Sequence, residues 1–230
     1  MNILMPMAGL GTRMNCHTPK HLIPVHGHPM FLQALHTFLP AGDYQYIFVV
    51  REEHLAQTQP WAEHLNATWV TVPGVTSGPA ATAWAAREMI LEHHPLWMLN
   101  CDQMFQWDAK LRFQDMAKYS AGVFTFTSTD PKCSYVKMQH GCAVEFAEKQ
   151  VISTSALTGV HYWQQGRYFL DSCEQMLQDD VRVNGEHYIS MTYNYLVQKM
   201  CVGEVLTQPE ETILLGTAQE LMNYETGTFK

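Results

Sequence analysis

Two glycines, Gly9 and Gly11, end an apolar run at residues 3–8, and two cations, Arg13 and Lys20, follow close behind. Glycine tolerates positive φ and lets backbone N–H groups reach a ligand with no Cβ in the way. Such amides suit phosphate oxygens, and nearby cations neutralise charge that moves during phosphoryl chemistry. The same spacing also makes a plain tight turn, and Arg13 or Lys20 taken singly suits a solvated surface. The dinucleotide fingerprint is excluded, because Met14 holds the place of its third glycine, and no Gly-Lys-[Ser/Thr] ending marks a P-loop. Far downstream, Asp102 follows the apolar run at residues 96–99. The carboxyl end of a strand is where α/β folds place ligands, and a carboxylate is the hard oxygen donor that Mg²⁺ takes. A strand-end aspartate also caps helices, so both readings stand on the residues alone.

Other reactive side chains carry less. The twelve histidines, among them His17, His21, His26, His28, His93, His94, His161 and His187, show no zinc spacing, and most are expected on surfaces or loops. Strand alternation turns Cys101 away from the side chain of Asp102 and into packing. Ser190 has no base beside it in sequence. The aromatics Tyr162, Trp163, Tyr168, Phe169, Tyr188, Tyr193 and Tyr195 crowd the second half, where spacing favours core over pocket.

The elements that must hold these groups follow from apolar periodicity and punctuation. Strands are expected at residues 3–8, 46–50, 68–72 and 96–99. Helices are expected at 30–39, opened by Pro29, at 52–65 with an interruption at Pro60, and at 79–90, opened by Pro79 and rich in alanine. That alternation is the rhythm of βαβ units on a mainly parallel sheet. Beyond it come a helix at 108–119, strands at 122–127 and 156–162, a hairpin of 134–138 and 143–146 across His140-Gly141, and helices at 168–177 and 188–198. The expectation is one α/β domain over residues 1–230, its later strands mixed in direction.

Composition narrows the partners. The chain has 230 residues, 47% hydrophobic, with 14 Lys+Arg against 22 Asp+Glu for a net charge of −8. It lacks the basic field of a nucleic-acid binder and a polybasic membrane patch. No apolar stretch approaches the roughly 20 residues that span a bilayer. The six cysteines show no paired spacing and read as reduced thiols of a cytoplasmic protein.

Gly9-Leu10-Gly11-Thr12-Arg13, Pro19-Lys20, Leu22-Ile23-Pro24-Val25, Gly27 and Pro29-Met30 together resemble the opening signature of the sugar-phosphate nucleotidyltransferases. The resemblance implies a Rossmann-like, glycosyltransferase-A-like fold with a mixed, mainly parallel sheet flanked by helices, with a nucleotide-binding half at about 1–120 and an acceptor-binding half at 121–230. It implies that Ala8, Gly9, Leu10, Gly11 and Arg13 embrace a nucleoside triphosphate and that Lys20 touches its phosphates. Residues 76–82, with Gly78, Pro79, Ala80 and Thr82, resemble the stretch that lines base and ribose. Asn100-Cys101-Asp102-Gln103 resembles the strand end whose aspartate binds Mg²⁺, for which Mn²⁺ can substitute. Residues 145–149 resemble the Glu-Lys pair whose lysine, Lys149, meets the acceptor phosphate, beside Glu148. Residues 157–162, with Gly159, and 183–188, with Glu186, follow the acceptor-side order, and Glu186 is the candidate second metal ligand ahead of Asp180. The sequence departs from the family in a shorter loop between Arg13 and Lys20, in His21 where proline is usual, and in His28 where relatives often carry lysine. The long C-terminal β-helix of some relatives is not expected within these residues.

The implied reaction is transfer of a nucleotidyl group from an NTP to a sugar 1-phosphate or similar phosphorylated alcohol, releasing pyrophosphate. The acceptor oxygen is already anionic, so orientation and charge neutralisation suffice. Small-molecule substrates, no nucleic acid, no membrane insertion and a homodimer are the expected associations. Two alternatives remain: a nucleotide-binding regulatory protein without turnover, and a cytidylyltransferase for a non-sugar acceptor such as phosphocholine. A glycosyltransferase would need Asp-x-Asp, whereas Gln103 and Met104 follow Asp102.

Overall fold

A computed structural model describes residues 1–228. The elements run β1 (Asn2–Pro6), β2 (Pro24–Val25), β3 (His28–Pro29), α1 (Met30–Phe38), β4 (Gln45–Arg51), α2 (Glu52–Thr58), β5 (Thr68–Val72), α3 (Pro79–Trp84), β6 (Leu96–Leu99) and β7 (Gln103–Phe105). They continue as α4 (Ala109–Met116), β8 (Ala121–Thr127), β9 (Ser134–Gln139), β10 (Cys142–Glu148), β11 (Ser155–Trp163), α5 (Gly166–Gln178), α6 (Ile189–Thr192), β12 (Val202–Leu206), β13 (Thr212–Leu214) and α7 (Ala218–Glu225).

One mixed sheet organises them. Its parallel part runs β5-β4-β1-β6, with β1 hydrogen-bonded on both sides. β11 then joins β6 antiparallel through residues 160–163, touches β9 at Ala156, and pairs β8 on two stretches, residues 155–157 and 161–163. β12 lies parallel to β8, and β10 antiparallel to β9. Because both faces of the central strands are covered, β1 and β6 are almost wholly apolar rather than alternating. Alternate residues still serve opposite cores. Leu4, Ile47 and Met98 meet α3 and α5 through Ala80, Ala83, Phe169 and Met176. Ile3, Met5, Phe48 and Trp97 meet α1 and α4 through Phe31, Phe38 and Phe113. The ring of Trp97 lies 4.2 Å from Phe113, an aromatic pair that ties α4 to the sheet.

The helix expected at residues 79–90 stops at Trp84 and gives way to a short 3₁₀ turn, Arg87–Met89. Tertiary demands override alanine's helix propensity here. Ile90 is buried, and the side chain of Asn2 exchanges hydrogen bonds with the N–H and C=O of Leu91, turning the chain back toward β6. The expected helix at 188–198 is likewise reduced to α6 and a 3₁₀ turn, Tyr193–Tyr195. That tighter turn buries Tyr193, whose hydroxyl donates to Gly122 O at 3.0 Å. It also carries Asn194 to the backbone N–H and C=O of Phe146 in β10, both at 2.9 Å. The hairpin turn at His140-Gly141 forms with both residues at positive φ, as a two-residue loop of the primed type requires.

The reading of all six cysteines as free thiols is corrected. Cys142, opening β10, and Cys201, just before β12, form a disulfide with Cα atoms 5.2 Å apart. Their separation of 59 residues gives no local spacing signal, and only the sheet brings them together. Cys16, Cys101, Cys133 and Cys173 are free. No helix among the described residues is long and apolar enough to cross a membrane.

Candidate active site

The glycine turn leaves β1 at the carboxyl end of the parallel strands. Gly11 sits at φ +65°, and a Cβ there would fall 2.8 Å from Cβ of Lys20, so the turn and the lysine pack too closely for any other residue. Lys20 reaches across to form an ion pair with Asp102, and its Nζ lies 3.4 Å from the carbonyl oxygen of Gly216. Gly216 is the meeting point. A Cβ built on it would stand 3.5 Å from Asp102 Oδ2, 3.4 Å from Glu220 Oε2 and 3.9 Å from the guanidinium of Arg13. Leu10 is exposed and Ala8 buried, so the turn's tip is open while its root is fixed in the core.

His21 follows Lys20 in the one-turn helix Lys20–Leu22 but points the other way, into a buried cluster. Thr58 gives its hydroxyl hydrogen to His54 O, so at 2.9 Å its oxygen accepts from His21 Nε2. Burial first, then His54 and Arg51, hold the imidazole pKa down at about 3. His21 is therefore a neutral anchor for the turn that carries Lys20. His28 is exposed.

A second group of side chains gathers on the other half. Lys149 follows β10 in a left-handed conformation, φ +55°, donates to the hydroxyl of Tyr188 and lies 4.7 Å over that ring's centre. Tyr188 in turn donates to Glu186. Burial, then Glu186, drive the Tyr188 phenol pKa upward, while Arg13 opposes them from the glycine-turn side. Glu148 is buried and accepts from Ser134 and from Ser190, the latter at 2.9 Å. Desolvation raises its pKa against those bonds and against Lys149.

Between the groups, β11 carries a break in register at Gly159, φ +98°. A Cβ there would fall 2.4 Å from Asn100 Nδ2 and 2.3 Å from Gln103 Nε2, so glycine lets the residues flanking Asp102 pack against β11. Gly78, φ +127°, lies against the backbone of His187, and Pro79, Ala80 and Thr82 begin α3 behind it. Thr82 donates to Gly78 O at 3.2 Å, closing the turn.

Residues 4–154 match the family model described as the MobA-like NTP transferase domain. The chain belongs to that family. This nucleotidyltransferase has an α/β Rossmann-like fold, and solved structures repeat it over nearly the whole chain. The nucleoside-diphosphate-sugar pyrophosphorylase of Vibrio cholerae is 20% identical with TM-score 0.81, covering 97% of this chain and 99% of its own. The inositol-1-phosphate CTP transferase of T. maritima is 13% identical with TM-score 0.76, covering 95% and 90%. A comparison with curated protein sequences finds no match.

Several residues of this candidate site were missed in the sequence. Gly216 and Glu220 lie beyond the last expected element, yet Thr217 and Glu220 form a complete capping box at the start of α7. The Thr-x-x-Glu spacing is a visible helix-start signal. Leu215 N donates to Asp102 O at 2.8 Å, holding this segment against the strand end. Tyr188 and Ser190 were noted without a partner, because Lys149 and Glu148 stand about forty residues away in sequence. Cys101 is buried with its thiol pKa pushed up to about 12, chiefly by desolvation, which suits packing and not nucleophilic attack.

Proposed function

We propose that this nucleotidyltransferase joins an NTP to a sugar 1-phosphate or a similar phosphorylated alcohol. The observation that carries the reading is the convergence of Lys20, Asp102 and Arg13 on Gly216 at the mouth of the glycine turn. Backbone amides of residues 8–11, with Arg13 and Lys20, would hold the triphosphate, and residues 78–82 the base and ribose. Lys149 would orient the acceptor's phosphate, with Glu148, Glu186 and Gly159 shaping its pocket. An acceptor oxygen then attacks the α-phosphorus in line, the α–β bridging P–O bond breaks, and pyrophosphate carries away the charge. No proton need be removed from a phosphate already ionised at neutral pH, so these side chains position and neutralise.

Among the described residues no three His, Cys, Asp or Glu side chains cluster as a ready metal cage. The donor set suits Mg²⁺ even so, because that ion binds through one or two carboxylates and completes its shell with phosphates and water. Asp102 would hold it, and the Gly216 carbonyl adds a second hard oxygen nearby. When bound, Mg²⁺, or Mn²⁺ in its place, neutralises phosphate charge and fixes triphosphate geometry. Glu186 would be the second ligand; Tyr188 donates to one of its oxygens, as Lys20 does to Asp102, and each carboxylate keeps lone pairs for the ion.

The test is a matrix of CTP, UTP, GTP and dTTP against sugar 1-phosphates, phosphocholine and inositol phosphate, with Mg²⁺, read by pyrophosphate release. One NTP paired with one acceptor class is expected to release pyrophosphate at enzymic rates. Tight NTP binding with no release across the panel would contradict catalysis and favour a regulatory nucleotide-binding role. The name of the T. maritima relative makes inositol 1-phosphate a rational member of that panel.

A further inference from the structure

The turn assigned to the nucleotide and the loop assigned to the acceptor are bolted together by one buried residue. His187 is 3% exposed. Its backbone N–H donates to Ser77 O at 2.6 Å, and its C=O accepts from Ala80 N at 3.0 Å. Its ring lies with Nδ1 2.9 Å from Ser77 Oγ and Nε2 3.1 Å from Asp180 Oδ1. A carboxylate only accepts, so Nε2 carries a hydrogen toward Asp180, and Nδ1 and the Ser77 hydroxyl share the other bond. The same Oδ1 of Asp180 also accepts from Arg182 Nε at 2.7 Å. Gly78 lies so close that a Cβ would fall 2.5 Å from His187 O. The neighbours of His187 in the chain are Glu186 and Tyr188, which connect to Lys149.

We propose that His187 is a positioning residue that couples the two substrate pockets, locking residues 76–82 to residues 183–188 so that filling one orders the other. The inference rests on the nucleotidyl-transfer reading above. Two features separate this arrangement from an ordinary loop contact. All three polar positions of His187 other than Nε2 go to the nucleotide turn, and Nε2 goes back to its own loop through Asp180. The ring is therefore a strut with one end on each side. Serine, histidine and aspartate are also the residue types of a hydrolytic relay, but here both the main chain and the ring of the histidine are spent on holding the serine's loop. A buried polar group of this kind costs most when one partner is removed and the other left unpaired.

The experiment uses the whole chain and Mg²⁺ complexes of CTP, UTP, GTP and dTTP, each without acceptor. Affinity is read by calorimetry and coupling by amide hydrogen exchange. In the wild type, the NTP that binds should slow exchange in both residues 76–82 and residues 183–188. In His187→Phe, affinity for that NTP should fall about tenfold and the slowed exchange should stay within residues 76–82. Adding Ser77→Ala should cost no more, since the same bond is already gone. His187→Asn, which can place a polar group where Nδ1 lies, should recover most of the affinity, and melting temperatures identify any variant that fails to fold. In steady state the loss should appear in KM for the NTP more than in kcat. Exchange slowed in both segments of His187→Phe, or multiplicative losses in the double variant, would overturn the coupling. If the wild type binds none of the four, the nucleotide reading falls and the coupling with it. Binding without transmitted protection overturns the coupling alone.

Discussion

The two halves of the sheet are built by different logics. In the first, β1, β4, β5 and β6 run parallel, and the turn after β1 and the strand end at Asp102 come out at one edge. Parallel order itself delivers Gly11, Lys20 and Asp102 to one place, because strands of one direction share a carboxyl end. In the second half, β11, β8, β9 and β10 are antiparallel, and strand ends face both ways. There Lys149 reaches Tyr188 and Ser190 reaches Glu148 through side-chain bonds spanning 39 and 42 residues, Tyr188 donates to Glu186, Asn194 pins β10 and a disulfide ties β10 to the start of β12. A parallel sheet positions chemistry by topology. The antiparallel part needs individual struts.

Substitutions can break that contrast from the largest effect downward. Asp102→Ala removes a charge from the point on which Lys20 and Arg13 converge. Turnover should fall at least ~10³-fold, about 4 kcal/mol of transition-state stabilisation, with the melting temperature close to wild type. Steady-state pyrophosphate release beside a thermal melt checks it, and a large loss of stability would mean that Asp102 is structural.

Next is the strut in the other half. Cys201→Ser or a reductant opens the link between residues 142 and 201. Loss of that constraint should lower stability by about 3 kcal/mol, with the unfolded chain gaining most of the freedom. Urea unfolding with and without reductant measures it, and equal midpoints would show that the antiparallel half stands without the bond.

A smaller effect, shared by the two halves, appears with pH. Burial depresses the pKa of His161 to about 3, where its ring stacks 5.7 Å from Tyr193, and His21 is held equally low. A histidine whose folded pKa lies below its unfolded value near 6.5 destabilises the fold as pH drops through that value, and the loss continues toward the folded pKa. Each should cost about 2 kcal/mol by pH 5. His161→Phe, which fits the aromatic stack, should remove its share of that loss. A variant whose stability falls with acid as steeply as wild type would contradict the assignment. The smallest change is Lys149→Met, expected to raise KM for the acceptor about tenfold, near 1.4 kcal/mol, while KM for the NTP stays put. Equal effects on both substrates would erase the division of labour.

The same contrast explains what could be read from the chain alone. β1, β4 and β6 were legible as apolar runs and β5 as a run of β-branched and aromatic residues, and the glycine turn and Asp102 are punctuation at strand ends. The shortened α3 was not, since alanine propensity says nothing of the Asn2 bonds that turn the chain at Leu91. Gly216, the cysteine pair and the His187 strut were invisible for a shared reason. Each depends on partners far apart in sequence and on a sheet register that no local pattern encodes. His21 is the instructive case: it stands beside Lys20 and invites a catalytic reading, yet one turn of 3₁₀ helix sends the two side chains in opposite directions.

The central claim is transfer of the nucleotidyl group, and labelled NTP tests it most directly. With α-³²P-NTP, Mg²⁺ and the matching phosphorylated acceptor, the label should appear in a new nucleotide conjugate while unlabelled pyrophosphate is released in equal amount, and Asp102→Ala should abolish both. Label recovered as free nucleoside monophosphate, or pyrophosphate released without the acceptor, would mean hydrolysis and contradict the account.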